Sequence, residues 1–247
     1  MILYLIVPII VMILYSFNQS HARLPVVSFA WQGFTTTWYQ QWNAIPGLTP
    51  AFLLTLRLAF STMIVSAVLG TLMALALVRY RYPGKAFVEQ TMFANIAAPE
   101  IVLGASLLGF FITLNIPRGF ITLFIAHVMF TVAYVAITVR ARLSGFDRSI
   151  EEAAQDLGAN PWVTFVRVTL PLIFPGVMAG ALMAFALSID DFITSSFVAG
   201  STITFPLWVY GVVKVGIPPQ VFVFGTVIFV AGLLIAASTL VFQRKKA

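Results

Sequence analysis

The chain contains no cysteine, and only 9% of its 247 residues are charged. Without thiols there is no disulfide framework, no thiolate metal site and no thiol redox chemistry. With so few charges the sequence departs from soluble domains, in which about 25% of residues are charged. A phosphate-binding loop is also missing. The nearest approach, Pro83-Gly84-Lys85-Ala86, lacks both the earlier glycine and the following Ser or Thr that such a loop needs to cradle phosphates. No pairing of nucleophile and base stands out that would make an intramembrane enzyme, and no internal repeat or low-complexity tract interrupts the chain. The chain is therefore expected to be no enzyme, with no cofactor and no metal.

Apolar residues dominate, at 60% of the chain and a mean hydropathy of +0.99. A helix needs roughly 20 apolar residues to cross a hydrocarbon core about 30 Å thick. Runs and their breakers predict helices over residues 1–17, 52–78, 91–114, 119–139, 172–199 and 221–242. The fold class is thus all-α, an integral membrane bundle of about six transmembrane helices forming one domain over residues 1–247. The run at Met1 lacks the basic flank and cleavage site of a signal peptide and reads as a span. Because that run is short and no basic residue precedes Ile2, a few natural N-terminal residues are expected to be missing.

The formal charge is +6, yet the Lys and Arg residues form no basic stripe, which argues against a nucleic-acid partner. They sit at the ends of apolar runs and report topology, because cytoplasmic loops hold an excess of them. Arg79, Arg81 and Lys85 follow the second run. Arg140, Arg142, Arg148 and Arg167 follow the fourth, and Arg244, Lys245 and Lys246 the sixth. Arg23, Arg57, Arg118 and Lys214 fall to the opposite side. Both termini are therefore expected in the cytoplasm of a multi-pass protein. Trp31, Trp38, Tyr39 and Trp42 in the external segment 18–51 suit a membrane interface or a docking surface. The second external loop, residues 200–220, contains Pro206, Pro218 and Pro219 and is expected to be irregular.

The stretch 140–169 is too polar to span. Ser149-Ile150-Glu151-Glu152 fits a capping box, in which the Ser hydroxyl and the Glu carboxylate satisfy each other's backbone N–H groups. Gly158 can end that helix in the left-handed region, and Asn160-Pro161 supplies a new N-cap with proline at the first helical position. The expected result is helix, sharp turn, helix, leading into Leu170-Pro171.

Glu152-Ala153-Ala154, three residues, Gly158, nine residues, Val168, one residue and Leu170-Pro171 together resemble the EAA loop of binding-protein-dependent ABC importer permeases, with Val where Ile is usual. The resemblance implies a cytoplasmic coupling helix that enters a cleft on an ATPase subunit. Glu152 would supply a charged contact, Ala153 and Ala154 close approach, and Gly158 the turn. It also implies two ATPase subunits, a second permease subunit and an external substrate-binding protein as partners, in the cytoplasmic (inner) membrane of a bacterium.

Acidic residues within apolar runs cost about 2.5 to 3.5 kcal/mol each and usually face a bundle interior or aqueous path. Glu100, Asp190 and Asp191 are the candidates for a substrate pathway. On a continuous helix Asp190 and Asp191 would point about 100° apart, with Asp190 some 27 Å from Leu172. His127, inside the fourth run, reads as a packing histidine bonded to a neighbour, and Gly176 with Gly180 as a close helix contact.

Short segments across most of the chain are similar to the polyamine branch of the same permease family, in particular the C-type permease of spermidine and putrescine importers. They are Tyr15-Ser16-Phe17-Asn18, Trp31-Gln32-Gly33-Phe34-Thr35, Ala98-Pro99-Glu100, Ser188-Ile189-Asp190-Asp191, Ser195-Ser196-Phe197-Val198 and Val213-Lys214-Val215-Gly216. This similarity implies transport of a small organic cation by alternating access, since carboxylates can offset a polycation's lost hydration. Permeases for opines or other solutes remain a second reading. An ATP-independent carrier or channel built on Glu100, Asp190 and His127 is a third, against which the EAA-like loop speaks.

Overall fold

A computed structural model of the chain describes residues 2–19, 30–145 and 147–244. Arg23, Lys245 and Lys246, whose charges bear on the expected topology, lie outside the described residues. Among those described the chain is helical and has no strand, apart from an isolated antiparallel bridge between Asn18 and Phe34. Two compact units emerge, one from residues 1–52 with 207–247, the other from residues 53–206.

The first unit pairs α1 (Ile2–Tyr15) with α12 (Pro219–Arg244). Gly225 permits their approach, since a Cβ there would meet Met12 Sδ at 2.6 Å. Asn18 organises the segment after α1. Its Oδ1 accepts from Gln32 N at 2.8 Å, its Nδ2 donates to Ala30 O at 3.0 Å, and its carbonyl accepts from Trp38 Nε1 at 2.9 Å. Phe17 stacks on Phe34 and Tyr39 with centroids 5.4 and 4.8 Å away. The aromatic residues expected to serve an interface or docking surface are therefore divided. Trp38, on the short helix α2 (Thr37–Gln40), is buried, whereas Trp31 and Trp42 stay exposed.

Among the described residues of the second unit three helical stretches are long and apolar enough to cross a bilayer alone: α3 (Leu48–Arg79, its first turn in the other unit), α6 (Phe120–Ser144) and Pro161–Ile189. Two of the six expected helices are corrected. The run 91–114 is not one helix but α4 (Lys85–Ala97) and α5 (Glu100–Thr113), meeting at 112°. Proline has no N–H to continue α4 and forces Ala98 into extended backbone, here φ −68°, ψ 137°, so Pro99 breaks the helix instead of kinking it. The run 172–199 ends early, with α9 (Leu170–Ile189) followed after a short break by α10 (Ile193–Val198).

Between α6 and α9 lie α7 (Ser149–Asp156), α8 (Pro161–Thr164) and a π-helical turn, Phe165–Thr169. The turn runs directly into α9, with Leu170 N donating to Phe165 O, five residues back. Pro171 has no N–H for the carbonyl four residues earlier, and the wider turn absorbs that mismatch. The loop 200–220 is less irregular than its prolines imply, because α11 (Phe205–Val213) forms within it. Arg57, assigned from sequence to an external end, lies inside α3 with its guanidinium 5.0 Å from the Phe120 ring centroid.

The core of this unit is the α6–α9 contact, which buries Val135, Val139, Leu143, Ile173 and Ala184 together with Ala74 and Leu75 of α3. Lipid tails are as apolar as leucine, so close packing and interhelical hydrogen bonds must hold such spans together. Cβ atoms added at Gly176 and Gly180 would meet Arg142 Cβ at 2.8 Å and Val135 Cγ1 at 3.1 Å. Ser66 and Thr131 hydroxyls bond across α3 and α6 at 2.7 Å.

Candidate functional site

The two helix breaks face one cavity. It measures about 450 Å³, and its wall includes Asn95 of α4, Glu100 at the start of α5, Phe130 and Tyr134 of α6, and Asp190, Asp191 and Phe192 between α9 and α10. All three carboxylates nominated from sequence are thus brought together. Two of them occupy helix ends: Glu100 is the first residue of α5, where a carboxylate is favoured by the helix dipole, and Asp190 directly follows α9. Both are exposed on the wall.

Asp190 and Asp191 differ, but not for the reason helical geometry gave. They lie in a break, and Asp191 is turned inward by what it binds. Its Oδ1 accepts from Thr194 N at 3.3 Å, and its Oδ2 accepts from Ser195 N and Ser195 Oγ, each at 2.7 Å. These bonds satisfy the free amides that open α10. His127 Nε2 adds a contact 3.4 Å from Asp191 Oδ2, leaving the carboxylate side chain 6% exposed.

His127 is fully buried and bonds two helices besides its own, with Nδ1 2.7 Å from Ser188 Oγ and Nε2 3.1 Å from Ser195 Oγ. Ser195 gives its hydroxyl proton to Asp191, so it can only accept from His127. Nε2 therefore carries a hydrogen, and Nδ1 shares the second bond with the Ser188 hydroxyl. The packing role read from sequence is what the geometry displays.

Nothing in the sequence singles out Asn95. Its Nδ2 donates to Met129 O at 3.1 Å, while its Oδ1 is buried and has no hydrogen-bond partner among the described residues. Phe130 and Tyr134 are also new to the site. Only the pairing of α4 and α6 with the two helix breaks reveals them, and the sequence carries no local signal of that pairing.

At the other end of α9 the polar loop forms the expected helix, turn and helix, with one correction. The Ser149–Glu152 capping box is absent. Asp147 Oδ1 instead accepts from Ser149 N at 3.0 Å, and the amide and hydroxyl of Ser149 hold the Asp147 carboxyl below its usual range. Gly158 adopts φ +87°, and Asn160 Oδ1 accepts from Val163 N at 2.8 Å ahead of Pro161. Glu152 and Ala153 are exposed, Ala154 half-buried, Leu157 90% exposed. Leu170 is half-buried and Pro171 exposed, both in the first turn of α9. Glu151, which sequence reasoning gave no role of its own, is buried against Arg79 and Thr169.

A helical bundle with a broken span on a carboxylate-lined cavity and a projecting polar hairpin defines a membrane permease. Residues 1–246 match the family described as binding-protein-dependent transport system inner membrane component, and the chain belongs to that family. It is 39% identical over 244 residues to the Escherichia coli spermidine/putrescine transport system permease protein PotC, covering 98% of this chain and 90% of that protein. Identity to the Haemophilus influenzae PotC is 37% over 243 residues, 98% of this chain and 93% of that one. The Escherichia coli putrescine transport system permease protein PotI is 38% identical over 233 residues, 91% of this chain and 81% of that one. Among solved structures, a chain from an amino acid ABC transporter crystallised with histidines superposes with a TM-score of 0.64 at 18% identity, covering 86% of this chain and 100% of that one. A chain of the inward-facing MetNI methionine ABC transporter gives 0.60 at 17% identity, covering 79% and 95%. These two likenesses show the fold.

Proposed function

We propose that this chain is the permease subunit of an ATP-binding-cassette importer that passes a polyamine such as spermidine or putrescine across the bacterial inner membrane. The family match and the polyamine permeases it resembles support the class. The observation that carries the substrate is the cavity. Glu100 and Asp190 expose carboxylates on a wall that also holds Phe130, Tyr134 and Phe192. Carboxylates and aromatic faces are the two surfaces that replace water around an alkylammonium ion. In this reading Glu100 and Asp190 contact the passing cation, whereas Asp191 holds the wall in shape.

Energy comes from outside the chain. Two ATPase subunits would receive the hairpin 140–169, with Glu152, Ala153, Ala154 and Leu157 toward the ATPase, Gly158 setting the turn and Leu170-Pro171 joining the hairpin to α9. A second permease subunit would complete the path, and an external binding protein would deliver the solute to the face opposite the hairpin. Both termini then lie in the cytoplasm.

The test is uptake of labelled spermidine and putrescine by proteoliposomes holding the complete complex, with and without ATP. ATP-dependent uptake of both, not shared by a neutral or anionic solute at matched saturation of the binding protein, is expected. ATP-dependent uptake of an opine without polyamine uptake would overturn the substrate, and polyamine flux independent of ATP would overturn the importer.

A further inference from the structure

Glu151 and Glu152 are neighbours on α7 that face different ways. Successive helical residues diverge by about 100°, so one can project outward while the other turns into the protein. Glu152 is exposed, and Glu151 is 7% exposed on a helix where Ala153, Gln155 and Asp156 are all open to solvent. A buried carboxylate is retained only where it is paired. Here Glu151 Oε1 pairs with Arg79 Nη2 and accepts from Thr169 Oγ1, and Arg79 Nη2 also lies 3.4 Å from Thr169 Oγ1.

Each corner of this triangle belongs to a different mechanical element. Arg79 is the last residue of α3, a 32-residue helix. Thr169 is the last residue of the π-helical turn that runs without interruption into α9. The far end of α9 carries Asp190 on the cavity wall. A displacement of α7 can therefore be delivered, through one carboxylate, to a full-length span and to the helix that ends at the cavity.

We propose that Glu151 is the residue that fastens the coupling helix to the spans, a positioning residue for transport that acts through Arg79 and Thr169. The proposal rests on the importer reading above. It divides the labour of the two glutamates, with Glu152 meeting the ATPase and Glu151 transmitting the motion.

The experiment compares the parental complex with Glu151→Gln, Glu151→Ala, Thr169→Val and the exchange Glu151→Arg with Arg79→Glu, each assembled with its ATPase, companion permease and binding protein. Polyamine taken up per ATP hydrolysed is the readout, measured beside the yield of assembled complex. Coupling between two sites typically changes an affinity by roughly 5- to 150-fold, which sets the scale of effect to look for. We expect about a tenfold fall for Glu151→Ala, smaller falls for Glu151→Gln and Thr169→Val, which keep part of the triangle, and recovery in the exchanged pair. An unchanged ratio in assembled Glu151→Ala, or uptake and hydrolysis falling together in step with yield for all single variants, would reduce Glu151 to a structural ion pair and overturn the proposal. Should Glu151→Ala fail to assemble, an unchanged ratio in both milder variants does the same. Failure of the parental complex itself to couple uptake to ATP would overturn the importer reading and this proposal with it, which separates the two.

Discussion

His127 Nε2 of α6 lies 3.4 Å from Asp191 Oδ2, in the break between α9 and α10, and neither side chain is more than 6% exposed. With Ser188 and Ser195 on the remaining bonds, this contact joins three helices through buried polar groups. A polar group left unpaired inside a membrane protein finds no water to replace its partner. The contact therefore fixes the cavity wall and occupies Asp191, whereas Asp190 and Glu100 stay exposed on that wall, and in the proposed reading it is those two that meet the solute.

Asp190→Asn and Asp191→Asn should fail differently. Asp190→Asn removes an exposed charge, so the complex should assemble normally while the apparent affinity for a polycation falls. A hydrogen bond to a charged group is worth about 1.5–3 kcal/mol, or roughly 10- to 150-fold. Asp191→Asn weakens the bonds that start α10 and should lower thermal stability in detergent. Concentration-dependent uptake beside a melting curve distinguishes them. Equal, negligible effects on both would remove these carboxylates from the path.

His127→Ala should destabilise the bundle, because it takes the partner of the Ser188 hydroxyl away and strips one contact from the buried Asp191. Single interhelical hydrogen bonds in membranes are worth about 0.6 kcal/mol on average, with larger losses where a buried charge is stranded. His127→Gln, which can still donate toward Asp191, should recover part of the loss. The check is the melting midpoint of the purified complex. A stable His127→Ala complex that cannot transport would instead place the ring in the transport step.

Glu100→Gln retains size and hydrogen bonding but removes charge at the first residue of α5. Uptake of a trication should fall more than uptake of a dication, and assembly should be unaffected. Parallel loss of both, or loss of assembled complex, would favour a capping role for Glu100 over contact with the solute.

Gly180→Leu tests the α6–α9 seam. Even a Cβ at this position would stand 3.1 Å from Val135 Cγ1, and overpacking a tight core costs about 1–3 kcal/mol or more. Lower recovery of folded protein is expected, to be measured by size-exclusion yield after extraction. Gly109 has open space around it, and Gly109→Ala should be recovered like the parent.

What was legible in the sequence divides by the range of the physics. Hydrophobic runs, Gly158 and Asn160-Pro161 act over a few residues, and the structure places four of the six expected helices, a left-handed turn and a cap where they imply. Pro99 is a local signal, but whether a proline kinks or breaks a span depends on what packs beside it. The Ser149 amide is taken by Asp147 and not by Glu152, because both carboxylates compete for it. The Glu151–Arg79 pair spans 72 residues of sequence, and the inward orientation of Asp191 depends on His127, a residue of a different helix. Such long-range pairings have no periodicity to betray them.

Gly158→Pro isolates the hairpin from the membrane bundle. Gly158 sits at φ +87°, and its N–H donates to Gln155 O at 2.9 Å. Proline fixes φ near −65° and has no N–H, so it can satisfy neither requirement. Alanine keeps the N–H and meets no neighbour within 4 Å, but must occupy the left-handed region at about 1–2 kcal/mol. The turn should thus be lost in Gly158→Pro and retained under strain in Gly158→Ala. The α6–α9 seam lies outside the turn, so both proteins should fold and associate with the companion permease. Substrate-stimulated ATP hydrolysis and uptake should collapse together in Gly158→Pro and fall only partly in Gly158→Ala. Normal stimulated hydrolysis with normal uptake in Gly158→Pro would sink the assignment of this hairpin as the coupling element, because no arrangement of α7 and α8 that depends on that turn could have survived the substitution.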